Sequence, residues 1–293
     1  MKVFVTGGTG LIGRALVKRL VADGHDITVL TRQSLDSSKT VTYIQAIDDL
    51  NTRQDIVINL AGAGLADRRW SPAYKEEIRA SRIDLTQALV SRLRNIGMPD
   101  LLISGSAIGF YGESKERDFS ETDGVGSGFS AELCRDWEAS VSNIGSESTR
   151  YVLLRTGVVL DRALGAYPQM TQSFRFGLAS WMGQGDHWLS WIHLADMVGA
   201  VMHCIQNEAV SGPVNMTAPN PVTHRSFSGE VRNATTTLVG MGVPGWVMRL
   251  MVGEMADELL LTGQRVMPTK LLSTGYQFCF GDLKDAIADL EAR

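Results

Sequence analysis

Few folds are open to a chain that begins Lys2-Val3-Phe4-Val5-Thr6-Gly7-Gly8-Thr9-Gly10-Leu11-Ile12-Gly13. Lys2 to Thr6 is an apolar run, rich in β-branched and aromatic residues, of strand length. Arg14 to Leu20, beyond the glycines, has a helical pattern. Gly7 suits a tight turn, Gly10 has no Cβ to obstruct a pyrophosphate, and Gly13 lets helix and strand pack closely. Free N–H groups at the start of that helix would face an anion. A glycine turn between strand and helix can also be purely structural. Here a second strand follows over Asp26 to Thr31, at the spacing of a βαβ unit, and this points to nucleotide binding.

The rest of the chain narrows the class. With 293 residues, 44% of them hydrophobic, it can bury a core the size of one α/β domain with a smaller lobe. A net charge of -4 with scattered basic residues argues against a nucleic-acid partner. The N-terminus enters a strand directly, and no apolar run approaches the ~20 residues of a membrane span, so a cytoplasmic protein is expected. Cys134, Cys204 and Cys279 are widely spaced and form no C-x-x-C, which indicates neither a disulfide framework nor a zinc knuckle. His187 and His193 lack a third ligand in register, so no metal site is expected.

Strands and helices then alternate. Val41 to Ile44, Asp55 to Gly62, Leu101 to Ser106 and Tyr151 to Val159 read as strands three to six, with Gly212 to Met216 one more. Ser71 as N-cap and Pro72 at the first position open a long helix running past Arg82 towards Arg94. Glu113 to Gly128 reads as a loop, Phe129 to Val141 as a helix, and Trp191 to Asp196 precedes a helix to Gln206. The pattern predicts an α/β, Rossmann-type doubly wound parallel sheet with right-handed crossovers, followed by a smaller, mostly helical C-terminal lobe. The second strand stops at Thr31-Arg32. An NAD site usually offers an acid there, whereas a hydroxyl and a cation suit the 2′-phosphate of NADP; an arginine in a solvated loop is the alternative.

These motifs together resemble the short-chain dehydrogenase/reductase superfamily in its extended, sugar-nucleotide-epimerase-like branch. The carriers are Thr6 to Gly13, Asn59-Leu60-Ala61-Gly62, Ser104-Gly105-Ser106-Ala107, Tyr111-Gly112, Leu154 to Val158 and Trp191 to Asp196. Arg69-Trp70, Ser81-Arg82, Cys134 to Glu138 and Gly263 to Pro268 resemble the narrower group called epimerase family proteins, or nucleoside-diphosphate-sugar epimerases of the SulA type. The resemblance implies that Gly7, Thr9, Gly10, Leu11, Ile12, Thr31, Arg32, Leu60, Ala61 and Gly62 line NADP, with Glu77, Arg82 and Val159 at further cofactor positions. It assigns residues 1–160 and 192–217 to the nucleotide domain, and 161–191 and 218–293 to the substrate lobe. Asp196 would cap a helix. The helices Ser71 to Arg94 and Phe129 to Val141 would pair across a dyad into a homodimer, against a monomer whose helices carry polar outer faces.

Catalysis in this superfamily uses a tyrosine with a lysine four residues on in the same helix, and a serine or threonine that orients the substrate oxygen. Ser106 supplies the hydroxyl. The tyrosine belongs some two dozen residues later, where the chain reads Gly128-Phe129-Ser130-Ala131-Glu132-Leu133. Tyr111 and Lys115 have the right spacing but fall in a loop context, leaving Tyr111 as a hydrogen-bond or proton donor without its lysine. Arg175 and Arg265 are candidates for a substrate phosphate or carboxylate. Two functions follow: an NADP-dependent oxidoreductase or epimerase acting on a substrate such as a nucleotide-linked sugar, or a catalytically inactive NADP-binding regulatory or sensor protein.

Overall fold

Apolar residues run unbroken along 3–5, 56–58 and 101–103, so that each of these strands buries both faces, which only a sheet covered on both sides permits. The computed structural model describes residues 1–142, 149–235, 237 and 239–292. Seven strands, β1 (Lys2–Thr6), β2 (Asp26–Leu30), β3 (Val41–Ile44), β4 (Ile56–Asn59), β5 (Leu101–Ala107), β6 (Arg150–Thr156) and β7 (Gly212–Met216), form one sheet in the order β7-β6-β5-β4-β1-β2-β3. All pairings in it are parallel. Val3, Val5, Ile56, Ile58, Leu101, Ile103, Val152 and Leu154 point to one face; Phe4, Val57, Leu102 and Leu153 point to the other.

The helices are α1 (Leu11–Ala22), α2 (Pro72–Ala80), α3 (Ile83–Ile96), α4 (Phe129–Ser142) and α5 (Leu194–Gln206). α1 and α5 cover the first face with Leu16, Leu20, Met197 and Val201, while α3 and α4 cover the second with Leu89, Leu93 and Val141. The order of connection reverses between the neighbouring strands β1 and β4. An open parallel sheet has its ligand crevice at such a point, beyond the carboxyl ends of the strands. No helix among the described residues is long and apolar enough to cross a membrane.

The long helix expected from Ser71 to Arg94 is two helices. Ser71 does cap the first, its side chain accepting from the Tyr74 N–H with Pro72 behind it. The break falls at Ser81-Arg82, where the Ser81 hydroxyl accepts from Ala63 N–H at 2.9 Å and donates to the Ile78 carbonyl at 3.0 Å, tying the chain to the loop after β4. The expected sixth strand is also divided. β6 stays in the sheet, but Val158–Leu160 leaves it to pair with Trp191–His193. Gly157 makes the crossing possible, since a Cβ there would lie 2.6 Å from the Ser190 carbonyl oxygen.

Asp196 does not cap α5. His193 does, its Nδ1 accepting from Ala195 N–H at 3.1 Å. The buried Asp196 carboxylate instead accepts from the Tyr276 hydroxyl and from the N–H groups of Cys279 and Phe280, anchoring the C-terminal segment. The remaining helices of eight or more residues among the described residues are α6 (His224–Ala234), α7 (Gly245–Val252) and α8 (Leu283–Glu291). They sit beside a parallel ribbon of Leu178–Met182 and Val239–Val243, so the expected helical lobe also has strand structure. Its core is built on Tyr167, Trp191, Phe227, Leu283 and Ile287.

Candidate functional site

The glycine turn lies at the carboxyl end of β1, and its shape is dictated by close approaches. Gly7 has φ +70°, and a Cβ on it would sit 2.7 Å from the Leu60 carbonyl, so the turn lies directly against Leu60 and Ala61 at the end of β4. A Cβ on Gly13 would lie 2.2 Å from the Gly7 carbonyl oxygen; this holds α1 against the turn. Gly10 differs: a Cβ there would meet only the Gly7 oxygen, at 3.3 Å, and the residue is exposed. Gly10 is also the N-cap of α1 and no acidic residue follows in the first turn, so the Leu11 and Ile12 end of the helix presents N–H groups and a positive dipole end to the crevice. Thr9 sits half-buried in the turn.

Around this cradle stand most of the other residues singled out in the sequence. Thr31 is buried at the end of β2, its hydroxyl accepting from Gln33 N–H, and Arg32 next to it is exposed. Leu11 and Val159 both approach Gly165. Arg82 closes the opposite side. Its guanidinium lies against Gly62, donates to the carbonyls of Ala63 and Ile78, and stands 5.3 Å over the Trp137 ring. It makes no ion pair among the described residues, and burial pushes its pKa below the usual arginine value. A partly buried cation without a counter-charge suits an anionic ligand. Glu77 stands on the exposed side of α2, paired with Arg68 at 3.4 Å.

The two proposed catalytic hydroxyls are turned into the protein. Ser106 Oγ donates to Glu138 Oε1 at 2.7 Å, and Arg155 grips the same carboxylate through Nε and Nη2 at 2.8 and 2.9 Å. Arg155 Nη1 donates to the Tyr111 hydroxyl at 2.9 Å, and that hydroxyl donates to Asn215 Oδ1 at 2.6 Å. Tyr111 is buried between Phe110 and Phe119, and desolvation, opposed by Arg155, raises its pKa to about 12. This corrects the expectation of a hydroxyl reaching the crevice: the oxygen has both its donor and acceptor capacity committed. Lys115 lies beyond the turn that ends at Tyr111, exposed and paired with Asp186 at 2.7 Å. The Tyr111 to Lys115 spacing therefore forms no dyad.

At the start of α4, where the tyrosine belongs, Ser130 Oγ is buried and makes no hydrogen bond among the described residues. One turn on, Cys134 is a buried thiol that desolvation pushes up to about 11. The first turn instead receives a carboxylate from the lobe, with Phe129 and Ser130 N–H groups donating to Glu258 at 3.2 and 3.1 Å. Glu258 was invisible to sequence reasoning, since it lies 128 residues from Ser130. Glu138 and Arg155 lay inside quoted motifs, but their pairing could not be read there. Arg265 pairs with Asp118 at 2.7 Å and stacks over Trp188, while Arg175 stands exposed. No metal-binding cluster occurs among the described residues.

The sequence pattern described as the NAD dependent epimerase/dehydratase family matches residues 3–216, which span the whole sheet. The chain belongs to this family. A domain of unknown function matches residues 243–290 of this epimerase-family chain, the segment that brings Glu258 to α4. It is 37% identical over 289 residues to Epimerase family protein Mb2239 of Mycobacterium bovis, covering 97% of this chain and 96% of that protein. Likewise it is 34% identical over 300 residues to the chloroplastic SDR39U1 homolog of Arabidopsis thaliana, covering 98% and 86%. The crystal structure of human epimerase family protein SDR39U1 with NADPH superposes with a TM-score of 0.91 at 31% identity, over 99% of both chains.

Proposed function

We propose that this epimerase-family chain binds NADP(H) but turns over ordinary epimerase and dehydrogenase substrates slowly or not at all. The observation that carries this is α4, whose first two turns hold a buried Ser130 hydroxyl and a buried Cys134 thiol and neither a tyrosine nor a lysine, while the glycine cradle is intact. The cradle fits a dinucleotide: Gly10 leaves room for a pyrophosphate, the N-terminus of α1 offers N–H groups, and Arg32 and Arg82 offer cations. The human relative's structure with NADPH supports the same cofactor here. When bound, the nicotinamide supplies hydride transfer. The protein's own residues would bind and orient it, with Thr31 and Arg32 at the 2′-phosphate, Gly7 to Ile12 at the pyrophosphate, and Leu60 to Gly62, Arg82 and Val159 beyond. Three free thiols suit a reducing compartment such as the cytoplasm.

One observation favours a second reading, a working oxidoreductase or epimerase. Glu258 is a half-buried carboxylate that accepts from the Phe129 and Ser130 N–H groups, and a base at that place could serve proton transfer. Calorimetric titration with NADPH and NADH, followed by nicotinamide absorbance with a panel of carbonyl, alcohol and nucleotide-sugar substrates, separates the readings. Tight NADPH binding, negligible turnover and an unchanged affinity in Lys115→Ala support the first. Rapid turnover abolished by Glu258→Gln selects the second, and rapid turnover abolished by Lys115→Ala defeats both.

A further inference from the structure

Apart from the N-terminal Met1, the six most exposed large apolar residues among the described residues gather in one region: Phe176 (85%), Leu250 (71%), Trp246 (67%), Met251 (65%), Val239 (60%) and Met241 (50%). Five lie within residues 239–251. The sixth adjoins them, because Val239 N–H donates to the carbonyl of Gly177. Summed, their exposed surface is on the order of 700 Å², close to the ~800 Å² each partner buries in a standard interface. Arg249, the charged residue within α7, is neutralised by Asp257. On the flank of the patch Glu254 pairs with Lys75 and the exposed Arg175 adjoins Phe176, so the surrounding charge is mixed and forms no basic cluster for an anionic lipid surface.

The strand in this patch also has a free edge. Among the described residues, Val239–Val243 pairs on one side only, with Leu178–Met182. Val239 N–H and the Val243 carbonyl point inward to that partner, bonding Gly177 and Gly183. The parallel register then turns the N–H and C=O groups of Gly240 and Gly242 outward, where no strand meets them among the described residues. Trp181 covers one face of these glycines, leaving Val239 and Met241 exposed on the other. An uncovered strand edge beside an apolar face is a surface for strand addition.

We infer that this face binds a second copy of the chain, with the two Val239–Val243 edges pairing antiparallel about a dyad at Met241. Gly240 of each copy then exchanges both backbone bonds with Gly242 of the other, and Met241 faces its own counterpart. The interface is isologous and therefore closes as a dimer. This edge is a different surface from the pair of helices that the sequence suggests for a homodimer. The outer faces of α3 and α4 carry exposed Asp84, Gln87, Ser91 and Arg94, and Glu132, Arg135 and Ser142, with little apolar area to bury.

Sedimentation equilibrium of the full chain across the micromolar range tests this. The native chain should be dimeric, and Trp246→Ser/Leu250→Ser should be monomeric with an unchanged circular-dichroism spectrum, since both residues are exposed. In a Cys279→Ser background, Met241→Cys should cross-link quantitatively on mild oxidation, because the Cα atoms of such a pair lie about 4.5 Å apart, within disulfide reach. A monomeric native chain, or a dimer indifferent to the double substitution, would overturn the proposal. So would a dimer in which Met241→Cys does not cross-link, or a monomer that co-sediments with phosphatidylcholine–phosphatidylglycerol vesicles, which would assign the face to a membrane surface.

Discussion

Replacing Glu138 by leucine removes the centre of the buried network beneath the crevice. The Arg155 side chain is 4% exposed and Glu138 9%, so neither charge can recover its hydration where it stands. The pair is two-pronged, at 2.8 and 2.9 Å, and the guanidinium also lies 3.5 Å from the centre of the Phe110 ring. Removing one partner of such a pair strands the other charge, at a cost of about 3–5 kcal/mol, and the Ser106 hydroxyl loses its acceptor as well. Glu138→Leu should therefore lower the unfolding free energy in urea by about 3–5 kcal/mol, and the melting temperature by on the order of 10 °C. Most of that loss is the stranded guanidinium rather than the worth of the pair. The double variant Glu138→Leu/Arg155→Met should accordingly recover most of it. A single-variant cost under ~1 kcal/mol, or a double variant as unstable as the summed singles, would refute this account of the network.

Arg32→Ala should weaken NADP(H) by about 1.5–3 kcal/mol, the range for a charge-assisted bond, while leaving NAD(H) almost unchanged; equal native affinities for the two in calorimetry would dismiss the role of Arg32. Gly263→Ala would set its Cβ 1.9 Å from the Trp188 carbonyl oxygen, backbone against backbone, so a loss of at least ~1–3 kcal/mol is expected, and an unaltered urea midpoint would contradict it. Burial, together with the His187 ring 5.0 Å away, holds the His224 imidazole down to about 4, below its unfolded value of ~6.5. Its contribution to stability is therefore complete above about pH 6.5 and is lost as the pH falls towards 4, at about 1.4 kcal/mol per unit. His224→Phe should flatten that slope in pH-resolved denaturation, and an unchanged slope would show that other groups cause it.

What could be read in the sequence was set by neighbours along the chain. The glycine turn was legible because Gly7, Gly10 and Gly13 constrain one another within a single turn of backbone, and a missing Cβ has the same consequence in any such loop. The parallel sheet was legible because each central strand carries enough apolar residues to bury both faces. The lack of a tyrosine and lysine at the start of α4 was likewise written in the residue types.

Tertiary structure alone decided the rest, because those features depend on partners far away in sequence. The helix breaks at Ser81 through a bond to Ala63, and the sixth strand divides where Gly157 meets Ser190. Asp196 looks like a helix cap until Tyr276, Cys279 and Phe280 fold back to claim its carboxylate. Tyr111 has the spacing of a catalytic residue, yet Arg155 and Asn215 hold its hydroxyl inside the protein. Glu258 reaches Ser130 only because the C-terminal segment crosses to α4. Local propensity acts over a few residues, whereas the position and charge of a buried polar group follow from whichever distant partner replaces its water.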